Sequence, residues 1–287
     1  LRKETAIWVF LLPNLVIFTV FVITPAISTL ILAFTNYNTL SYSGHFVGLE
    51  NFIHISRQIS GFPQALLRTL IYSGLLIPLV FFFSLMLAVI TSSDLIVGKS
   101  FLRMIFYWPW ILSPAIIGIS WRWFLDYDVG LINMVLARVG IEAQAWLFDR
   151  KLAFLSIIVV GVWNISGYFM VMFNAALTSI PNEVYEAAAL DGANRWTRFW
   201  KITFPLLKPT AVLVLVLSTI LAVRSFEVIY VLTSGGPGTA TTLVVQQIYE
   251  TAFDERKLGL ASAMSLVLFG ILMLLSILQF KVVGEEE

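Results

Sequence analysis

The sequence predicts an all-α integral membrane protein of six transmembrane helices, with a polar helical loop between helices 4 and 5. Composition, the spacing of charges and the punctuation between apolar runs carry that prediction. Of 287 residues, 59% are hydrophobic and only 12% are charged, with a mean hydropathy of +0.90. A soluble chain carries about 25% charged residues, so about half the expected charge is missing. Uncharged runs cover Thr5–Leu49, Thr69–Ser93, Met104–Trp121, Leu152–Asn182, Pro209–Val223 and Leu258–Phe280. Crossing a hydrocarbon core of roughly 30 Å takes about 20 apolar residues, and five of the six runs meet or approach that length.

The first run opens behind Arg2 and Lys3, as a secretory signal would. Its apolar part, Ile7–Phe34, is far longer than the roughly 7–15 residues of a signal core, so a stable helix is expected. Pro13 and Pro25 are tolerable inside it because neighbouring helices can satisfy freed carbonyls. Leu1 rather than Met stands first, and further N-terminal sequence is expected. The loop from Thr35 to Arg68 is polar and aromatic, with turns at Gly44, Gly48, Gly61 and Pro63. After the third run, Leu131–Val139 has the apolar spacing of a short interfacial helix between Gly130 and Gly140. The fifth run stops short at Arg224, but Phe226–Leu232 extends it past Glu227, until Ser234–Gly238 ends the helix. All of 1–287 is read as one transmembrane domain.

Charge excludes several functions. The net charge is +1, which points to no nucleic acid partner. The absence of cysteine removes disulfides, thiolate metal sites and cysteine nucleophiles. His45 and His54 share one loop and are read as solvated residues, with no metal site. Gly98-Lys99-Ser100 imitates the end of a phosphate-binding loop. Ser93 stands where that motif needs its first glycine, and no strand precedes it, so ATP is not expected here. With the N-terminus inside, Lys and Arg divide nine to nine between the two sides, and the positive-inside rule leaves the orientation open.

The segment Ile180–Pro209 differs from its surroundings. Pro181 precedes a run of helix formers, Asn182 is placed to cap them, and Glu183 and Glu186 suit the positive end of a helix dipole. Ala187, Ala188 and Ala189 make a slim surface, and Asp191-Gly192 ends the helix. A second short helix is expected from Ala193 towards Phe204, with Arg195, Arg198 and Lys201 along one side. Such a pair fits a groove on another protein or floats among lipid headgroups. Physics alone leaves both open.

The run Glu186-Ala187-Ala188-Ala189-Leu190-Asp191-Gly192-Ala193, followed by Phe199, Ile202, Pro205 and Pro209, resembles the EAA loop of ABC importer permeases. Phe46–Phe52, Leu232–Pro237 and Gly259–Ala263 are similar to the carbohydrate branch of that family, the maltose and glycerol-phosphate type. The resemblance spans Ile7 to Lys281. It implies that 180–209 is a cytoplasmic pair of coupling helices, with Glu183, Glu186, Ala187, Ala188, Asp191, Gly192 and Arg195 at the docking surface for a separate ATPase subunit. It implies that both termini lie inside the cell membrane. The partners it implies are a second homologous permease, two ATPase subunits that bind ATP and Mg, an extracytoplasmic solute-binding protein and membrane lipid. No catalysis and no cofactor are expected in this chain.

Polar groups inside a membrane are costly and point to function. Arg224 lies 15 residues beyond Pro209, and Glu227 and Tyr230 follow at steps of three on the same helical face. Together with Asn164 and Tyr168 in the fourth run they are the candidate solute path. A structural Arg224–Glu227 pair is the competing account. Trp163 and Tyr168 offer aromatic faces with polar tips that suit sugar rings, while Asn174 serves equally as helix–helix glue. Trp108, Trp110, Trp121 and Trp123 are read as interfacial belts and packing. An ion-coupled secondary transporter or channel is the rival class, although only Glu227 offers it an acidic relay. A membrane-embedded enzyme is weaker still, for no catalytic cluster is present.

Overall fold

The fold was obtained as a computed structural model, which describes residues 3–57, 61–93 and 96–284. In chain order its α-helices are α1 Lys3–Phe18, α2 Thr24–Leu32, α3 Glu50–Ser56, α4 Phe62–Ser92, α5 Lys99–Ile111, α6 Pro114–Phe124, α7 Leu131–Arg138 and α8 Arg150–Thr178. There follow α9 Asn182–Leu190, α10 Arg195–Arg198, α11 Phe204–Leu206, α12 Lys208–Val223, α13 Glu227–Thr233, α14 Val244–Tyr249 and α15 Leu258–Gly284. Single π-helical turns join α1 to α2, α10 to α11 and follow α14.

Four stretches, Leu11–Leu32, Phe62–Ser92, Arg150–Thr178 and Leu258–Gln279, are each long and apolar enough to span a bilayer. The count rises to six if two bent pairs are each one span: α5 with α6, bent by 100°, and Arg195–Leu206 with α12, bent by 66°. The fold is thus all-α and multi-pass; the run Met104–Trp121, read from the sequence as continuous, is broken between α5 and α6, while the second bend falls near Pro205 and Pro209, where the sequence already placed a boundary. Pro114 accounts for the first break. Leu112 and Ser113 take extended conformations (ψ 145° and 135°) and Pro114 starts α6, the geometry forced on a residue that precedes proline.

Contacts divide the chain into two compact units, one of residues 1–65 and 246–273, the other of residues 66–245 and 274–287. In the first unit, α1, its π turn and α2 form a long apolar rod. Thr24 donates its hydroxyl to the Thr19 carbonyl (2.9 Å) and Thr29 to that of Pro25 (2.9 Å), which satisfies backbone near the proline. Asn51, buried in α3, donates to the carbonyls of Ala33 (2.9 Å) and Thr35 (2.8 Å) where α2 ends. None of Leu11–Leu32 is buried in the chain. So much apolar surface is stable only against lipid or another apolar partner.

The second unit holds the core. Tyr72 and Leu76 of α4, Ile117 of α6, Ile157, Phe169 and Phe173 of α8, Val214 of α12 and Leu232 of α13 form one buried cluster. Helices α5 and α8 touch backbone to backbone at Gly167, where any Cβ would collide with the carbonyl of Phe106. Helix α6 meets α13 at Gly118, where a Cβ would lie 2.6 Å from Val231. Asn174 donates to Thr91 (3.1 Å) and accepts from Ser92 (2.6 Å), so it is glue between α8 and α4. The short helix anticipated at Leu131–Val139 is α7. Its buried Asn133 gathers the following loop by accepting from the Trp146 indole (2.9 Å) and the Gln144 amide (3.0 Å).

Candidate functional site

Two regions of the second unit carry the candidate residues, and they use opposite parts of the same helices. One involves Tyr72 of α4 and Ile157 to Ile165 of α8; the other involves Val89 and Ser92 of α4 and Leu177 and Thr178 of α8. Tyr72 and Val89 are 17 residues apart, about 25 Å along a helix.

In the polar segment, α9 begins at Asn182 with Pro181 in the N-cap position and no side-chain cap. Asn182 therefore does not cap the helix, contrary to the sequence expectation. Proline at this point costs no hydrogen bond, because the first amides of a helix have no internal acceptor. At the other end the Ala193 amide donates to the Ala188 carbonyl (2.9 Å) and the Gly192 amide to that of Ala189 (3.1 Å). This is a Schellman closure, and Gly192 adopts φ +80°, the left-handed conformation in which glycine alone is unstrained. The next helix starts at Arg195, not Ala193, because Asn194 caps it by accepting from the Thr197 amide (2.8 Å). The Tyr185 hydroxyl lies 3.1 Å from that of buried Thr203 and joins the two helices. Tyr185 was not singled out by the sequence, and its only signal was a polar-tipped ring on the inward face of α9.

Glu183, Glu186, Ala187, Asp191, Gly192 and Arg195 are exposed, as a docking surface requires. Ala188 is the exception and corrects the expected alanine face: it is only 8% exposed and packs inward while Ala187 and Ala189 point out. Leu190 at the corner is 90% exposed and Trp196 is 71% exposed, so the segment offers apolar groups that its own chain leaves uncovered. The basic stripe also changes. The π turn Phe199–Thr203 advances the helix by an extra residue, and Arg195 and Arg198 line a cavity beside α4 and α5 from which Lys201 is absent.

The second region is a cavity of about 350 Å³ lined by Asn164, Arg224 and Glu227, with Tyr72, Trp110 and Gly161 among the others. It is at the small end of the roughly 300–1,000 Å³ typical of small-molecule pockets. Helix α12 stops at Val223, and Phe226 (φ −147°, ψ −64°) precedes α13. A break therefore separates Arg224 from the helix that Glu227 begins, so Arg224 does not share the expected helical face, although Glu227 and Tyr230 still stand three apart in α13. No ion pair joins the two; both are exposed to the cavity, free to hydrogen-bond a guest. Asn164 has a further task. Its amide donates to the Pro109 carbonyl (2.8 Å), which α5 leaves open as it ends.

Tyr168 and Tyr230 are not in the lining. Tyr168 stacks on Trp110 with ring centroids 4.6 Å apart, and Tyr230 pairs with Phe226 at 5.2 Å. Trp110, assigned to packing from the sequence, supplies the aromatic wall instead. The spacing Gly161, Asn164, Ile165 is one stripe of α8, and that periodicity was the available signal for Gly161. Among the described residues no cluster of His, Cys, Asp and Glu could hold a metal.

The family described as the binding-protein-dependent transport system inner membrane component matches residues 53–283. The chain belongs to that family. The permease is 34% identical to the trehalose/maltose transport system permease protein MalF of Thermococcus litoralis, over 98% of this chain and 94% of that one. It is 32% identical to the sn-glycerol-3-phosphate transport system permease protein UgpA of Brucella abortus, over 96% and 94%. Its fold matches a crystal structure of a bacterial ABC transporter involved in the import of the acidic polysaccharide alginate, with a TM-score of 0.85 over 99% of this chain and 96% of that one at 23% identity. The permease is a transmembrane subunit of an ABC importer, and ATP hydrolysis belongs to a separate subunit.

Proposed function

We propose that residues 1–287 act as one transmembrane domain that passes a sugar-like solute, with Ile180–Pro209 as its coupling segment. The single observation that carries this is the corner at Leu190–Gly192. A glycine-dependent turn there presents an exposed leucine, alanines and carboxylates away from the chain's own core, on a segment with the family's EAA sequence. Groove-binding helix pairs need that combination of rigid turn and uncovered apolar anchor. The ATPase receives Glu183, Glu186, Ala187, Asp191, Gly192 and Arg195, while Ala188 supports them from within. Glycerol phosphate and disaccharides are the solutes named for the relatives. The cavity at Arg224, Glu227, Asn164 and Trp110 has the hydroxyl-binding polar groups and aromatic face that such solutes require.

The complete machine in this proposal contains a second homologous permease, two ATPase subunits and an extracytoplasmic solute-binding protein. Both termini and the coupling segment lie on the cytoplasmic side. The chain contains no cysteine, so Glu186→Cys gives a unique label site. A membrane-impermeant maleimide should label it in inside-out vesicles and not in intact cells. Labelling from the outside would overturn the orientation, and unchanged labelling on addition of the ATPase subunits would overturn the docking surface.

A further inference from the structure

Behind the coupling corner lies a second cavity, of about 1020 Å³, between the last turn of α4, the first turn of α5, the end of α8 and the helix that follows Asn194. Among the described residues four cationic side chains line it, Lys99, Arg103, Arg195 and Arg198, with one carboxylate, Glu183. Glu183 forms no ion pair with any of the three arginines. Arg103 is held in place by its Nη2, which donates to the Thr91 carbonyl (2.8 Å). The Nε atoms of Arg103 and Arg198 are both shut off from solvent and have no acceptor. A buried donor without a partner is costly, and gathering like charges adds to that. Those enclosed atoms do not face the cavity themselves, but the guanidinium groups that carry them line it from two different elements, and so positive a lining calls for an anion.

The geometry points to a phosphate group as the occupant, carried by an anionic phospholipid headgroup or by a soluble phosphate. A carboxylate offers only two oxygens, whereas a phosphate accepts from guanidinium groups on several sides at once, and arginine forks match it. The walls are the ends of apolar helices, where a lipid headgroup would lie. Trp196 and Trp200 stack edge to face at 5.7 Å on the same helix as Arg195 and Arg198, and both are exposed, as interfacial aromatics are. An occupant would tie the second coupling helix to α5, across charges that otherwise repel.

The test uses the assembled importer in nanodiscs of phosphatidylcholine alone, or with phosphatidylglycerol, and separately in phosphatidylcholine with inorganic phosphate against chloride at equal ionic strength. Thermal unfolding and native mass spectrometry of retained lipid are the readouts. Wild type should show a saturable rise in Tm with one of the two ligands. The Arg103→Gln/Arg198→Gln pair should weaken that response about tenfold per guanidinium removed, and the Lys pair should retain most of it. A response to phosphatidylglycerol alone identifies a lipid, and a response to phosphate alone identifies a soluble ligand. No response in the wild-type complex, a response matched by chloride, or an equal response in the Gln pair would each overturn the proposal. The first of these is also what an acidic segment of the ATPase filling the cavity would give. If the Gln pair fails to assemble, retention of phosphatidylglycerol over phosphatidylcholine by the wild-type complex decides, and equal retention together with no response to phosphate overturns the proposal.

Discussion

The corner at Asp191–Asn194 and the corner at Ser234–Thr242 are both glycine turns that end a helix, yet they are built in opposite ways. At the second, the hydroxyls of Thr233 and Thr241 are 2.7 Å apart, the Thr241 hydroxyl donates to the Gly236 carbonyl (2.9 Å), and the Thr241 amide donates to that of Gly235 (3.0 Å). Helix α4 then fastens the turn from outside, with Arg68 Nε on the Thr242 carbonyl (2.9 Å) and the Thr69 hydroxyl accepting from the Val244 amide (2.8 Å). Thr241 and Thr242 are buried. At the first corner only the local Schellman bonds close the turn, its residues stand exposed, and a Cβ on Gly192 would meet nothing within 4 Å. One corner is completed by its own chain. The other is left open.

Substitutions can break that contrast. Gly192→Val should have the largest effect on transport, because a β-branched residue at φ +80° distorts the turn that aims the docking surface. Uptake should fall to background while the permease still inserts and assembles, since no neighbour is crowded. Wild-type uptake would disprove the assignment. Leu190→Ala should cost about 1.5–3 kcal/mol of ATPase affinity if that side chain is buried on docking, and leave the permease's own stability within about 0.5 kcal/mol. Titration of the ATPase onto the reconstituted variant measures the first, and thermal unfolding of the variant alone the second.

Thr241→Val should do the reverse at the closed corner. It strips a partner each from the half-buried Thr233 hydroxyl, which keeps its bond to the Ile229 carbonyl, and from the Gly236 carbonyl, so stability should fall by about 1–3 kcal/mol with ATPase docking unchanged. An unaltered Tm would show that the corner is not held by those bonds. The smallest effect is expected at Glu227→Gln. Because Glu227 has no salt bridge to lose, assembly should be normal, and uptake should drop by a few-fold, since Gln keeps a neutral hydrogen bond and loses only the charge-assisted excess, about 1 kcal/mol. Lower complex yield would restore the structural pair, and unchanged uptake would remove Glu227 from the solute path.

The apolar runs were legible because a bilayer imposes a length, and the EAA segment because a turn followed by capped helices leaves a local pattern. The breaks were not. Pro13, Pro78 and Pro109 sit inside helices, while Pro114 opens a new one; what separates them is long-range. Asn164, 55 residues from Pro109, supplies the donor that lets α5 end there, and no window along the chain contains both. The break at Arg224–Phe226 has no glycine or proline to announce it, so placing Arg224 on one helical face with Glu227 and Tyr230 was persuasive and mistaken, while Glu227 and Tyr230 do share α13. Arg224, Glu227 and Asn164 nonetheless line one cavity, because a polar side chain within an apolar run stands out even where the backbone is misread. Tyr168 was missed as packing because its covering ring, Trp110, lies on another helix.

The bent helix α5–α6 carries a mechanical consequence. Gly167 lets α8 press its backbone against α5 at Phe106, and Gly118 lets α6 seat against α13 at Val231. Each half of the bent helix is therefore clamped to a different neighbour, and a shift of α8 drags α5 while a shift of α13 drags α6. Leu112 and Ser113 are the pin between these two arms. The chain runs from α8 directly into the coupling segment, and Leu112 lines the cavity with Arg224 and Glu227. If the corner couples as proposed, a tug applied there would be delivered, through a crank with a single joint, to the wall of the cavity at Arg224 and Glu227.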